Sequence, residues 1–329
     1  MMLLIQKLSV FLVVSSAVIF VFAAEPEFKV NSSTPGNIEF GTNDIKLQLV
    51  FNNLKGISGQ CHEIIRSTDF HGIGEEPEQR TVNLEAKTIL TREIIIPNSR
   101  RGFFIIHYSL VQKGAIIYNK TVTGAILKPI TALNPDSSPI GIYCHNIFQN
   151  GHKELPLVKN MGISWVRGNL AWRIFEREQE KWDWSLGDAS YNALCAYKFN
   201  IYYNLTYPPL WRVKKVNSYG GNPENFADFA AYAEKVAARY PDVKCFSIWN
   251  EPDAASHWDG GASEFKKLLE VSYPVIKAAN PKVLISMGGI TSDPERSTHF
   301  INGLADADAG SFFDIYDYHY RNIDLHLKI

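Results

Sequence analysis

The chain has 329 residues, enough for one large domain or two ordinary ones with ample core. A formal net charge of −1 at pH 7 argues against nucleic-acid binding, which demands a basic face. The hydrophobic fraction of 46% and aromatic fraction of 12% are those of a globular protein, and the Trp and Tyr content suits either carbohydrate stacking or an ordinary core.

Residues 1–24 read as a signal peptide. Lys7 gives a weakly positive start, Leu8 to Phe22 an apolar stretch, and Val21-Phe22-Ala23 a small-x-small cleavage site. The apolar run falls short of the roughly 20 residues of a membrane span. Cleavage is therefore expected, giving a mature chain in the secretory pathway, secreted or lysosomal and free of the membrane. The sequons at Asn31, Asn119 and Asn204 fit that route, although Asn204 lies in an apolar run and is expected to be unmodified. Cys61, Cys144, Cys195 and Cys245 are too few for a disulfide scaffold and have no zinc-ligand spacing, so free thiols and no metal are expected.

Residues 25–134 read as β. Asp44 to Phe51 alternates polar and apolar, Arg92 to Ile96 is rich in β-branched residues and stopped by Pro97, and Gly102 to Val111 and Ala115 to Leu127 flank a hairpin turn at Gln112-Lys113-Gly114. Short strands without helical period predict a β-sandwich of immunoglobulin-like type, with a scaffolding or sugar-binding role. Turn-forming residues at 135–139 form a linker.

From residue 140 to 329 the rhythm changes. Apolar strand runs at 140–143, 163–167, 199–203, 245–249, 283–287 and 313–318 alternate with amphipathic stretches such as Asn225 to Arg239 and Ala262 to Ala279. This pattern predicts parallel strands with crossover helices. A doubly wound sheet would carry a glycine-rich phosphate loop after its first strand, where Tyr143-Cys144-His145-Asn146 stands instead. A (β/α)₈ TIM-type barrel puts functional polar residues at the C-terminal strand ends, as do His145, Arg167 with Asn169, Tyr207, Asn250 with Glu251, and His319.

The most informative run is Trp249-Asn250-Glu251-Pro252-Asp253, at the end of the fourth of these strands. There a glutamate can protonate a leaving oxygen, an amide can bond a hydroxyl, and an indole can stack on a sugar ring. The arrangement resembles clan A glycoside hydrolases, (β/α)₈ retaining glycosidases, nearest to the β-xylosidase, α-L-iduronidase and cellulase-like branches. The resemblance rests on Asn250-Glu251-Pro252, on Arg167 after the second strand, on Trp172 to Trp184 as the following loop, and on Asp314 to His319 in the sixth strand. It implies Glu251 as acid/base, Asn250 as a ligand of the sugar 2-hydroxyl, Arg167 as orienter of the nucleophile, and His319 as a substrate or nucleophile contact. It also implies a carbohydrate substrate and no cofactor. From the residues alone, His145 is a further mouth candidate and Trp211 a candidate sugar platform. His257 and Trp258 are possible subsite residues. Trp249, Trp182 and Trp184 read as packing.

A retaining site needs a second carboxyl about 5–5.5 Å from the first. Glu264 and Glu270 fall in a helical stretch and Glu295 in a loop, so none ends a strand. The expectation is a barrel with about six of its eight units in this sequence and a nucleophile on a seventh strand, the sequence being a truncated record, itself inactive, of a longer and active enzyme. The rival reading is a catalytically inactive, carbohydrate-binding pseudo-enzyme.

Overall fold

The computed structural model describes residues 26–53, 56–128, 138–144, 154–213, 215–291 and 293–319. The expected signal peptide and most of the expected linker lie outside them. The chain divides into two compact units between Pro129 and Ile130, a few residues before the expected boundary at 134.

The first unit is built from β1 (Glu27–Ser32), β2 (Ile38–Phe40), β3 (Ile45–Asn52), β4 (Gly59–Asp69), β5 (Glu78–Leu84), β6 (Ile89–Ile96), β7 (Gly102–Gln112) and β8 (Ala115–Leu127). One sheet runs β1-β3-β6 and the other β2-β8-β7-β4-β5, antiparallel except where β2 meets β8. β3 buries every second residue, so Leu47, Leu49 and Phe51 meet Phe104, Ile106 and Leu110 in one core, the face-to-face packing of a sandwich. The strand order is compatible with the immunoglobulin-like expectation. Lys113 and Gly114, both at positive φ, close the predicted β7–β8 hairpin.

β4 is hard to recognise in the sequence because a charge points inward. Glu63 is 1% exposed, accepts a hydrogen bond from the Tyr108 hydroxyl at 2.9 Å, and is ion-paired with Arg80 and with Arg92 at 3.4 Å. An interior carboxylate so paired breaks the apolar alternation by which strands are recognised.

In the second unit, β9 (Gly141–Tyr143), β10 (Trp165–Ala171), β11 (Asn200–Thr206), β12 (Cys245–Ile248) and β13 (Leu284–Ser286) are parallel and adjacent in chain order. The elements between and after them include α1 (Leu155–Asn160), α2 (Trp172–Phe175), α3 (Ser185–Ala196), α4 (Phe226–Arg239), α5 (Ala262–Ala279) and α6 (Pro294–Asp306). Sequential order without reversal is the winding of a barrel, and the described sheet is a half-barrel. β12 is buried at all four positions, facing helices on one side and the barrel interior on the other. α4 begins at Asn225, whose side chain accepts from the Ala227 amide, and buries Phe229, Ala233 and Val236 as the 3.6-residue period requires.

The predicted sixth strand is a bridging segment along the β13 edge. The Asp314 and Ile315 amides donate to the Ile285 carbonyl at 2.7 and 3.0 Å, and the His319 amide to the Ile290 carbonyl at 2.7 Å. Asp314 anchors its start, accepting from Lys277 Nζ at 2.7 Å, the Ile285 amide at 2.8 Å and the Tyr273 hydroxyl at 3.0 Å. Burial opposes its ionisation, but these donors hold its pKa below the ordinary 3.8. The stabilisation is therefore present above that value and lost as pH falls through the lower folded one. Asp314→Asn should cost about 1–2 kcal/mol at neutral pH. In urea unfolding the gap from wild type should narrow as pH falls below 3.8. A gap unchanged between pH 7 and pH 3 would contradict this role.

Candidate active site

The mouth of the half-barrel is shaped by β12 and by the turn at its C-terminal end. Trp249 and Glu251 both have left-handed backbones, with φ of 73° and 49°. Non-glycine residues hold such conformations only where the surroundings fix them, and such positions cluster at functional sites. The fixing is visible here. The Trp249 amide donates to the Leu205 carbonyl at 2.9 Å and its buried indole to the His257 carbonyl at 3.0 Å. The Glu251 amide donates to the Gly289 carbonyl at 2.9 Å. Asp253 closes the turn from below. Its buried carboxylate accepts from the Thr291 amide at 3.0 Å and from Ser297 Oγ at 3.0 Å, tying this loop to the one after β13.

Glu251 thus projects into a cleft of about 550 Å³. Its Oε1 is 2.9 Å from Nδ1 of His319 and its Oε2 is 3.5 Å from Nε2 of His257. The His319 ring lies so close to Gly289 that a Cβ there would stand 1.9 Å from Nε2. His257 is buried, and that burial depresses its imidazole pKa although Glu251 and Asp253 pull it upward. It is therefore neutral at neutral pH. Its ring lies nearly parallel to that of Tyr219, with centroids 4.0 Å apart. Asn250 lines the cleft and hydrogen-bonds the hydroxyl of Tyr207, whose pKa burial raises.

Arg167 lines the same cleft. Its Nε donates to Oδ1 of Asn204 at 3.0 Å and its guanidinium pairs with Asp317 at 3.1 Å while lying over the Tyr202 ring. Asp317 also accepts from the Tyr202 hydroxyl at 2.7 Å. Arg167 thus forms a salt bridge with a carboxylate of the mouth. Asn204 is 1% exposed and occupied by this contact, which leaves no room for a glycan.

The structure thus brings Glu251, Asn250, Arg167 and His319 together. His145 lies outside the described residues. Trp211 sits apart from the cleft lining, in a turn at Leu210–Arg212, with its indole donating to the Arg177 carbonyl at 3.2 Å. Trp249 and Trp258 are buried packing residues, and Trp182 stacks on Trp184. Glu176 is buried and accepts from the Trp172 indole at 2.7 Å.

Five residues of the site, Tyr143, Arg173, Asn204, Tyr219 and Asp317, do not stand out in the sequence as site residues. Asp317 carries a usable signal: it is two residues before His319, and residues two apart on an extended segment share a face. All four cysteines are free, and burial pushes the Cys245 thiol up to about 12. Among the described residues no group of three His, Cys, Asp or Glu could hold a metal ion, and no helix is long and apolar enough to cross a membrane.

The fold is shared with a family 39 glycoside hydrolase. That enzyme, from the gut symbiont Bacteroides cellulosilyticus WH2, superposes with a TM-score of 0.62 at 19% identity over 88% of this chain. The chain spans 57% of that enzyme's length. A glycosyl hydrolase family 2 member from Bacteroides cellulosilyticus DSM 14838 matches with a TM-score of 0.33 at 12% identity, over 92% of this chain and 40% of its own. A β-galactosidase from the psychrophilic Marinomonas ef1 matches with a TM-score of 0.44 at 12% identity, over 56% of this chain and 41% of its own. These last two overlaps are too loose to carry structural weight. No family model and no curated protein matches the sequence.

Proposed function

We propose that the protein is a retaining glycoside hydrolase of the secretory pathway, acting on an oligo- or polysaccharide. The observation that carries this reading is Glu251. It is a carboxylate at the mouth of the fourth parallel strand, held in a left-handed turn, with its two oxygens facing two imidazoles inside a cleft. A carboxyl so placed can give a proton to a glycosidic oxygen and then take one from water. Asn250 is proposed to meet the sugar 2-hydroxyl, with Arg167 and His319 holding the carboxylates of the mouth in place. The nucleophile in this reading is a glutamate ending a seventh strand of a full (β/α)₈ barrel, beyond the bridging segment that takes the place of the sixth. The signal peptide and the exposed sequons at Asn31 and Asn119 fit a secreted or lysosomal glycoprotein.

The test is the anomeric configuration of the first sugar released when the full-length protein is given a panel of aryl glycosides, followed by proton NMR before mutarotation. Retention is expected. Inversion would remove the double displacement. Absence of any hydrolysis across the panel would leave the carbohydrate-binding pseudo-enzyme.

A further inference from the structure

We infer that Tyr219 is the platform on which the leaving-group sugar stacks, so that the protein favours a pyranose over a small alcohol beyond the scissile bond. The inference rests on Glu251 being the acid of the proposed glycosidase. Three groups stand in series along one wall of the cleft. Oε2 of Glu251 faces Nε2 of His257, and the flat of the His257 ring lies against Tyr219. The other oxygen, Oε1, is directed to His319 at 2.9 Å. The sugar that departs is by definition the one carrying the oxygen that the acid protonates. It therefore lies beside whatever borders the acid, and on the Oε2 side that border is His257 and Tyr219.

Tyr219 has the features of a platform. It lines the cleft and is 44% exposed, unlike the fully buried Trp249 and Trp258 nearby. An aromatic ring left partly open offers a face to the C–H groups of a pyranose. Its backbone is held from both ends: the amide donates to Asn217 Oδ1 at 3.0 Å, and the carbonyl accepts from the Arg173 guanidinium at 2.8 Å. The next two residues need to be glycine, since Gly220 and Gly221 have φ of 122° and 112° and a Cβ on Gly221 would stand 2.1 Å from the Lys215 carbonyl oxygen. A loop so constrained holds the ring in place before ligand arrives, which reduces the ordering cost of binding. Were the ring only a cover for His257, it would act equally on every substrate.

The experiment uses the full-length protein with glycosyl fluorides and the matching disaccharides of gluco, galacto and xylo configuration. A fluoride leaves no sugar behind, whereas a disaccharide places one on the proposed platform. The readout is the ratio of kcat/KM on the disaccharide to kcat/KM on the fluoride. In Tyr219→Ala that ratio is expected to fall about tenfold, chiefly through KM, and Tyr219→Phe should restore it because stacking needs the ring and not the hydroxyl. An equal loss on both substrates, or no loss on the disaccharide, would overturn the platform and leave the glycosidase reading standing. A wild-type protein that turns over neither substrate would overturn both.

Discussion

Replacing Glu251 with Gln in the full-length protein should lower kcat/KM by about 10²- to 10⁴-fold on glycosides with poor leaving groups, the usual contribution of a positioned acid. The substitution is close to isosteric and keeps an oxygen able to meet Nδ1 of His319, now 2.9 Å from Oε1. It removes the carboxyl's ability to give up a proton at neutral pH and to carry the charge that follows, and it puts an NH2 donor in place of one oxygen. The loss must therefore depend on the leaving group. A sugar alkoxide needs a proton to depart, whereas an activated phenolate needs little help, so bond cleavage on dinitrophenyl glycosides should be nearly spared. A loss of equal size across leaving groups would mean that the glutamate holds structure rather than delivers a proton. Unchanged turnover would remove it from the chemistry.

The second large effect is expected at a residue with no side chain of its own. Gly289→Ala should lower kcat by about 100-fold, the scale at which an ångström of misplacement acts. Gly289 has two jobs: its carbonyl accepts the Glu251 amide at 2.9 Å, and its bare Cα leaves the space occupied by the His319 ring. A Cβ would stand 1.9 to 2.5 Å from three atoms of that ring, so the imidazole must move and its contact with Glu251 must break. The double variant with His319→Ala should then be no worse than the more impaired single one, because both act through one contact. Additive losses would contradict that coupling. Gly288→Ala is a different case. Its φ of 88° and the 2.8 Å approach to the Ile248 carbonyl oxygen predict a stability defect from backbone strain.

The half-barrel is legible in the sequence because its strands are buried on two faces and read as continuous apolar runs, as 199–203 and 245–249 do. The sandwich is legible only in part. β3 and β7 alternate cleanly, β8 buries residues only toward its end, β4 hides behind the inward Glu63, and β5 is a mostly polar edge strand. At the site, Asn250-Glu251-Pro252 points to the proposed acid because its position at a strand end is a local property. The Asp314 to His319 spacing leads to a histidine that lines the cleft, but the carboxylate that meets Arg167 there is Asp317. Asp314 serves at the other end of the segment, against Lys277 and Tyr273.

The cleft aromatic expected at Trp211 falls instead to Tyr219. Its place depends on a loop pinned by the Val213–Pro223 bridge and two glycines, a tertiary closure with no periodicity to read. His319 meets Glu251 across 68 residues of sequence, a pairing that only the winding of the sheet produces.

The central claim is that Glu251 is the acid/base of a double displacement. The most direct measurement is the product formed when Glu251→Ala, in the full-length protein, is given a dinitrophenyl glycoside in the presence of azide. Azide needs no base to attack. If Glu251 is the base that activates water, azide should restore turnover and yield a glycosyl azide of the same anomeric configuration as the substrate. No rescue, or an azide of inverted configuration, would contradict that role.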